Sequence, residues 1–145
     1  MISVHEMIRK KGGEVWSVAS GAFVIEALKM MADKNTGAVM VMDEGRVVGI
    51  LSERDCVRRV ELLGRVARET RVKEIMTARV IYVEGSQSVD ECVAIMIDKN
   101  IRHLPVYDEG KLVGLISSRD ALRELVDYQK FMISELERYI TGGGR

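Results

Sequence analysis

The chain has 145 residues, enough for a compact core that needs no disulfide or metal staple. Its 22 basic and 22 acidic residues leave no net field to recruit nucleic acid or an anionic membrane. No apolar run reaches the roughly 20 residues of a membrane helix, and the polar start over residues 1–13 lacks a signal-peptide core, so the expected location is cytoplasmic.

A short amphipathic helix is expected near Val4 to Lys11, within an N-terminal extension spanning 1–14. Val15 to Val18 then has strand character, followed by a Ser/Gly turn and a helix carrying Val24, Leu28, Met31 and Ala32 at helical spacing. Strands are expected over Ala38 to Met42 and Val47 to Leu51, joined by the polar turn Asp43-Glu-Gly-Arg46, with a second helix starting at Ser52. A linker at 63–73 carries Arg65, Arg68 and Arg71 alongside Glu69 and Glu74, and reads as a solvated connector rather than a nucleic-acid patch.

The pattern then recurs. Strand character returns at Val80 to Val83, helical spacing at Val89, Val93, Met96 and Ile97, strands at His103 to Tyr107 and Leu112 to Ile116, and a helix start at Ser117. Aligned without a gap, residues 15–60 match 80–125 at 18 of 46 positions, against about 6% expected from composition. That is an internal duplication, and a unit this small buries its apolar face by packing on its copy. The copies span 15–62 and 74–127, and function is expected in the seam between them. The last helix continues into a C-terminal extension, 128–145, through Leu125, Val126, Met132, Leu136 and Ile140. Its apolar positions outrun the repeat, which points to a partner surface, before Gly142-Gly-Gly-Arg145 frays.

The chemistry sits in a doubled signature, Gly-apolar-apolar-Ser-x-Arg-Asp, at Gly49 to Asp55 and Gly114 to Asp120. One reading is a capping box, with Ser52 or Ser117 as helix cap and Asp55 or Asp120 three residues on. Capping leaves Arg54 and Arg119 unexplained, because a cation in the first turn opposes the helix dipole by about 0.3–1 kcal/mol. The other reading is a nucleotide site, with a phosphate at the helix start beside Ser and Arg, and a carboxylate accepting both ribose hydroxyls. Spacing alone leaves both readings open.

The combination of Leu104-Pro-Val106, the Asp-Glu-Gly turn, Gly-Leu-Ile-Ser-Ser-Arg-Asp120 and Glu74-Ile-Met-Thr77 resembles a tandem pair of CBS domains, the regulatory module named after cystathionine β-synthase. It covers roughly residues 15 to 127, and Ser52-Glu-Arg-Asp55 is similar to short stand-alone members of bacteria and plant organelles. The resemblance implies an α/β (α+β) fold, a β-α-β-β-α unit repeated about a pseudo-two-fold axis, a Bateman module that often forms flat homodimers. It implies a sensor without catalysis of its own, whose effector is AMP, ADP, ATP, NAD(H) or S-adenosylmethionine and which modulates a partner. In one cleft Asp120 would take the ribose, Ser117 and Arg119 ribose and phosphate, Leu115 the base, and Arg102 and His103 the phosphates, with Ala22, Gly37 and Ala38 as walls. The other would use Asp55, Ser52, Arg54 and Ile50, walled by Gln87 and the bulkier Arg102 and His103. Gly37-Ala38 in place of a basic pair departs from the family pattern and makes the Asp120 cleft the expected tighter phosphate site. A dimerising scaffold with vestigial clefts is the alternative.

The remaining reactive residues read as structural. His103 with Ser117 and Asp120 makes no catalytic triad, because copy one repeats the Ser and Asp with Ala38 in place of the histidine. His5 has no partner in the sequence and is expected at the surface, and neither histidine has metal-ligand spacing. Cys56 and Cys92 align with Ala121 and Ala27, positions that want a small buried side chain. The nine methionines are expected to fill core, and Trp16 to anchor it.

Overall fold

The computed structural model describes residues 2–142, which form two compact units: residues 15–81, and the residues up to Glu14 together with those from Tyr82 onward. Of the expected fraying tail, residues 143–145 lie outside the described part. In chain order the elements are α1 (Val4–Lys11), β1 (Ser17–Val18), α2 (Val24–Lys34), β2 (Ala38–Asp43), β3 (Arg46–Ser52), α3 (Glu53–Cys56, running into a π-helical turn at Val57–Glu61) and α4 (Val72–Ile75). Then follow β4 (Val83–Glu84), α5 (Val89–Lys99), β5 (His103–Asp108), β6 (Lys111–Ser117) and α6 (Ser118–Ile140). Each unit holds a three-stranded sheet, β1-β2-β3 or β4-β5-β6, whose first pair is parallel and second antiparallel. The expected strand-helix-strand-strand-helix unit is thus present twice.

The two hairpins are built alike. Asp43 pairs with Arg46, and Glu44 and Gly45 take positive φ (50° and 75°), a type I′ turn that matches strand twist. Glu109 and Gly110 do the same at 50° and 76°. Both sheets shift register one step beyond the turn, between Val41 and Met42 and between Val106 and Tyr107. Asn35 and Asn100 close α2 and α5 in the left-handed conformation, which Asn tolerates better than other side chains.

The copies differ where their sequences do. Ser17 pairs with Met40, and Met40 N–H donates to Trp16 O at 2.9 Å. At the equivalent place stands Pro105, which has no N–H, and β4 begins one pair later, at Val83 opposite Val106. Both first strands are shorter than the four residues expected, two residues each. After α3 the helix widens into the π turn, where β-branched Val57 and Val60 replace the Leu122 and Leu125 that keep α6 regular.

Burial also corrects two helical faces. The buried stripes are Val24, Ala27 and Met31 on α2, and Val89, Cys92 and Met96 on α5. Ala32 and Ile97, expected inside, are exposed, one position beyond the buried Met31 and Met96 that end each stripe. Cys56 and Cys92 are buried free thiols, both pushed up to about 11, first by burial and then by neighbouring carboxylates. Met7, Met31, Met40 and Met96 fill core, and Trp16 packs against it with the Lys34 ammonium 4.3 Å from its ring centroid.

The expected solvated linker is more structured than a connector. Val24 N–H donates to Thr70 O and Ile25 N–H to Ala67 O, tying 67–70 to the start of α2. Arg71 stacks on Phe23 at 3.9 Å and donates to Gly21 O, and Arg65 pairs with Glu74 at 2.5 Å. The Arg71 N–H, and then Arg65, hold the Glu74 carboxyl below its usual range.

A segment preceding each copy straps one of the sheets. In residues 15–81, Val72 and Lys73 N–H donate to Ala22 O and Ser20 O, and the strap then crosses β3 over Gly49. Val4 and His5 N–H donate likewise to Gln87 O and Gly85 O, and α1 lays Ile8 on Gly114 of β6. Both glycines belong to the doubled signature, and a side chain at either would strike the strap. A Cβ on Gly49 would stand 2.6 Å from Met76 Sδ and 3.0 Å from the Thr77 carbonyl. Gly49→Ala is therefore expected to cost about 1–3 kcal/mol, read as a lower urea midpoint with unchanged slope.

Candidate functional site

In the unit holding the second copy, the turn from β6 into α6 gathers the residues singled out above. Ser117 is the N-cap: its Oγ accepts from Asp120 N–H at 3.1 Å, while its own N–H donates to Asp120 Oδ2 at 2.8 Å. The capping box is therefore real and reciprocal. His103 is the cross-strand partner of Ser117, and Arg102 O accepts from Ser118 N–H at 2.8 Å, so Arg102, His103, Ser117, Arg119 and Asp120 lie at one end of the sheet. Leu115 follows on β6, buried.

Residues 15–81 repeat the arrangement at smaller scale. Ser52 Oγ accepts from Asp55 N–H at 3.2 Å and donates to Asp55 Oδ2 at 3.0 Å, and Ser52 N–H donates to the same oxygen at 3.1 Å. Gly37 O accepts from Glu53 N–H, which sets Gly37 and Ala38 beside the helix start as Arg102 and His103 are set in the other copy. Ile50 and Arg54 complete this set. Ala22 and Gln87 sit elsewhere, in the turns before α2 and α5, at the hairpin end of their sheets and away from the capping box of their own unit. Gln87 is engaged there, accepting from Glu84 N–H at 2.8 Å and donating to Glu91 at 3.1 Å.

The same turn carries a residue that no motif indicated. Lys11, the last residue of α1, donates through Nζ to Asp120 Oδ2 and to Leu115 O, each at 2.6 Å. Burial pushes the Asp120 carboxyl up, but the Lys11 hydrogen bond, the Ser117 N–H and the Lys11 charge outweigh it and hold the group below its usual range. One turn on, Lys10 lies 3.5 Å from Glu124, a carboxylate 8% exposed. His5, expected without a partner, sits 3.3 Å from Asp108 and keeps its surface position.

Copy one answers the same backbone demand differently. Ile50 aligns with Leu115, and its N–H and C=O both pair with Thr77, at 3.0 and 2.9 Å. α4 stops after four residues and Met76 is extended, so the strap runs on as a strand; α1 stays helical for eight residues, and a side chain reaches the edge instead. Within residues 15–81, Asp55 has no lysine partner among the described residues.

A helix start with a Ser cap, an adjacent Arg and a largely buried carboxylate held ionised can accept hydroxyls and receive an anion. Among the described residues no cluster of His, Cys, Asp and Glu could hold a metal ion, and no helix is long and apolar enough to cross a membrane.

The family model described as the CBS domain matches residues 4–62 and 72–127. A mitochondrial CBS domain-containing protein of Arabidopsis thaliana, CBSX3, is 32% identical over 97% of this chain and 73% of its own length. An uncharacterized Methanopyrus kandleri protein is 34% identical over 84% of this chain, which spans 62% of it. The solved structure of a putative signal-transduction protein with CBS domains from Burkholderia ambifaria is 44% identical, with a TM-score of 0.84 over 87% of this chain and 95% of that one. The CBS domain pair of protein MJ0100, solved in complex with 5′-methylthioadenosine and S-adenosyl-L-methionine, is 25% identical with a TM-score of 0.74, over 86% of this chain and 99% of that one.

The Asp120 carboxylate yields the test of this geometry. Its pKa is depressed in the folded state, so its contribution to stability is present above the unfolded carboxyl value, about 4, and is lost as pH falls through the folded value. Lys11→Met is expected to lower stability at neutral pH by about 1 kcal/mol, after discounting for the exposure of Lys11, and to flatten the acid limb. Urea unfolding from pH 7 to pH 3 checks both.

Proposed function

The chain belongs to the CBS-domain family, carrying two copies in tandem, and on that premise we propose that it is a regulatory sensor of an adenine nucleotide. The observation that carries this is the doubled Ser-x-Arg-Asp box, and above all the Asp120 carboxylate, largely buried yet held ionised at the start of α6. A ribose offers two hydroxyl donors to such a carboxylate, and a phosphate meets the Ser cap and the arginine. In this reading Asp120, Ser117, Arg119 and Leu115 bind one nucleotide, with Arg102 and His103 on its phosphates. Asp55, Ser52, Arg54 and Ile50 bind a second, and Ala22, Gly37, Ala38 and Gln87 are walls that receive the bases. The adenosyl ligands of the MJ0100 pair support an adenosine moiety. We assign AMP, ADP, ATP or NAD(H) as effector, a protein target as the regulated partner, the cytoplasm as the compartment, and no catalytic step.

A switch of this kind requires the ligand to bind two states unequally. Thermal unfolding with AMP, ADP, ATP, NAD, NADH and S-adenosylmethionine tests it. Ligand at 100 times its Kd adds about 2.7 kcal/mol, a shift of several degrees, which Asp120→Asn is expected to remove for the physiological nucleotide. Absence of a shift with all six would leave the dimerising scaffold.

The proposal includes a homodimer. Leu122, Val126, Gln129, Ile133, Leu136 and Ile140 recur on α6 at alternating steps of four and three, a heptad seam, and its apolar members are exposed by 40% to 80%. Sedimentation at micromolar concentration is expected to give twice the chain mass for the wild type and the monomer for Ile133→Glu.

A further inference from the structure

Resting on the nucleotide reading above, we propose that Lys11 is the specificity-determining residue of the Asp120 site: its ammonium occupies the place of the ligand's ribose, and only an anionic ligand offers it a new partner. Asp120 Oδ2 already accepts two donors, Lys11 Nζ at 2.6 Å and Ser117 N–H at 2.8 Å. A ribose that presents both hydroxyls to this carboxylate needs acceptor positions on both oxygens. The Asp120 side chain is only 11% exposed, so the diol cannot approach around the ammonium. Binding the ribose therefore means moving Lys11.

What happens to the ammonium then separates ligand classes. Its departure breaks the bond to Leu115 O as well as the bond to Asp120. A neutral nucleoside restores donors to Asp120 but sends the ammonium to water with its ion pair lost, since the Lys11 side chain is already 37% exposed. A sulfonium such as that of S-adenosylmethionine adds a like charge. A phosphate a few ångströms from the ribose receives the ammonium and recovers a charge-assisted hydrogen bond. The site so arranged favours nucleotides over nucleosides and sulfonium compounds.

The tether keeps this competitor at hand. Lys11 ends a helix whose Ile8 is seated on Gly114, and its C-cap Gly12 takes φ of 102°, after which Gly13 runs against the Val113 carbonyl. α1 is held on β6 from both sides of Lys11, so the ammonium changes partner by side-chain rotation with the helix in place. Copy one lacks the device within its own unit: the Ile50 carbonyl takes a backbone N–H, and Asp55 is held by Ser52 with no lysine partner among the described residues of that unit.

A competitor bound in at least nine molecules of ten weakens a neutral ligand about tenfold or more. The test is calorimetric titration of the whole chain with AMP, adenosine and S-adenosylmethionine, in an Asp55→Asn background that silences the other site. Adding Lys11→Met is expected to tighten adenosine at least about tenfold and S-adenosylmethionine similarly, while AMP changes less, so the AMP-over-adenosine preference collapses. Lys11→Arg is expected to keep it. A salt titration of the protein with Lys11 intact gives a second reading: screening loosens the internal pair, so adenosine affinity rises with KCl as AMP affinity falls. AMP binding with a preference unchanged by Lys11→Met, or adenosine affinity that falls with salt, overturns the inference and leaves the nucleotide reading standing. Failure of AMP and every other adenylate to bind the wild type at all overturns the nucleotide reading and this inference with it.

Discussion

The outward carbonyl of an edge strand has to find a donor, and in both copies the strand that makes this demand is the one that carries the signature. Ile50 and Leu115 occupy the same place in the repeat. A strap must cross each of them, and it comes close enough only because Gly49 and Gly114 have no side chain. From this follow the clamp on the turn before α2 or α5, the seating of Ile8 or Met76, and the path of residues 72–77 and 4–11. Where the strap is extended, backbone meets backbone at Thr77; where it is helical, an ammonium is sent instead. The conformation of the strap thereby decides whether a charge stands next to the signature carboxylate.

The capping box and the ligand site draw on the same atoms, which is why spacing could not separate them. Ser117 Oγ and Asp120 Oδ2 are engaged in helix capping. A carboxylate has acceptor capacity beyond one cap, and so does a hydroxyl. Capping holds these side chains in a fixed rotamer at the helix start, and that rigidity is a condition for recognising a ribose rather than an argument against it. Asp55 and Ser52 are held by the same bonds at similar lengths, on a helix that loses its regular pitch after four residues.

Much of this was legible because duplication supplies an internal control. The unit order, both polar hairpin turns, the buried cysteines and the long last helix follow from periodicity, turn chemistry and the matched positions. What escaped lies where local pattern does not encode partners. Ala32 and Ile97 are apolar at helical spacing and still face outward, since periodicity marks a stripe but not how much of it the fold covers. Arg65 and Arg71 read as solvated charges because their partners, Glu74 and Phe23, become neighbours only through the fold. Lys11 is one of three basic residues in the last turn of α1, the ordinary complement to a helix dipole. Nothing in its own neighbourhood marks it, since Leu115 and Asp120 are more than a hundred residues away.

The interleaving of the chain between the two units also orders events during synthesis. Residues 15–81 hold all three strands of their sheet together with their strap in one continuous stretch, so that unit has every partner it needs once Ile81 has left the ribosome. α1 emerges before residues 15–81, yet its seat on β6 is made only when Gly114 appears about a hundred residues later, several seconds at ordinary elongation rates. An eight-residue helix is marginal in water, so until then its Ile8 lacks the glycine seat that holds it. While residues 15–81 and the first strands of the second sheet are being made, α1 thus keeps an apolar face waiting, a natural handle for whatever holds nascent chains apart.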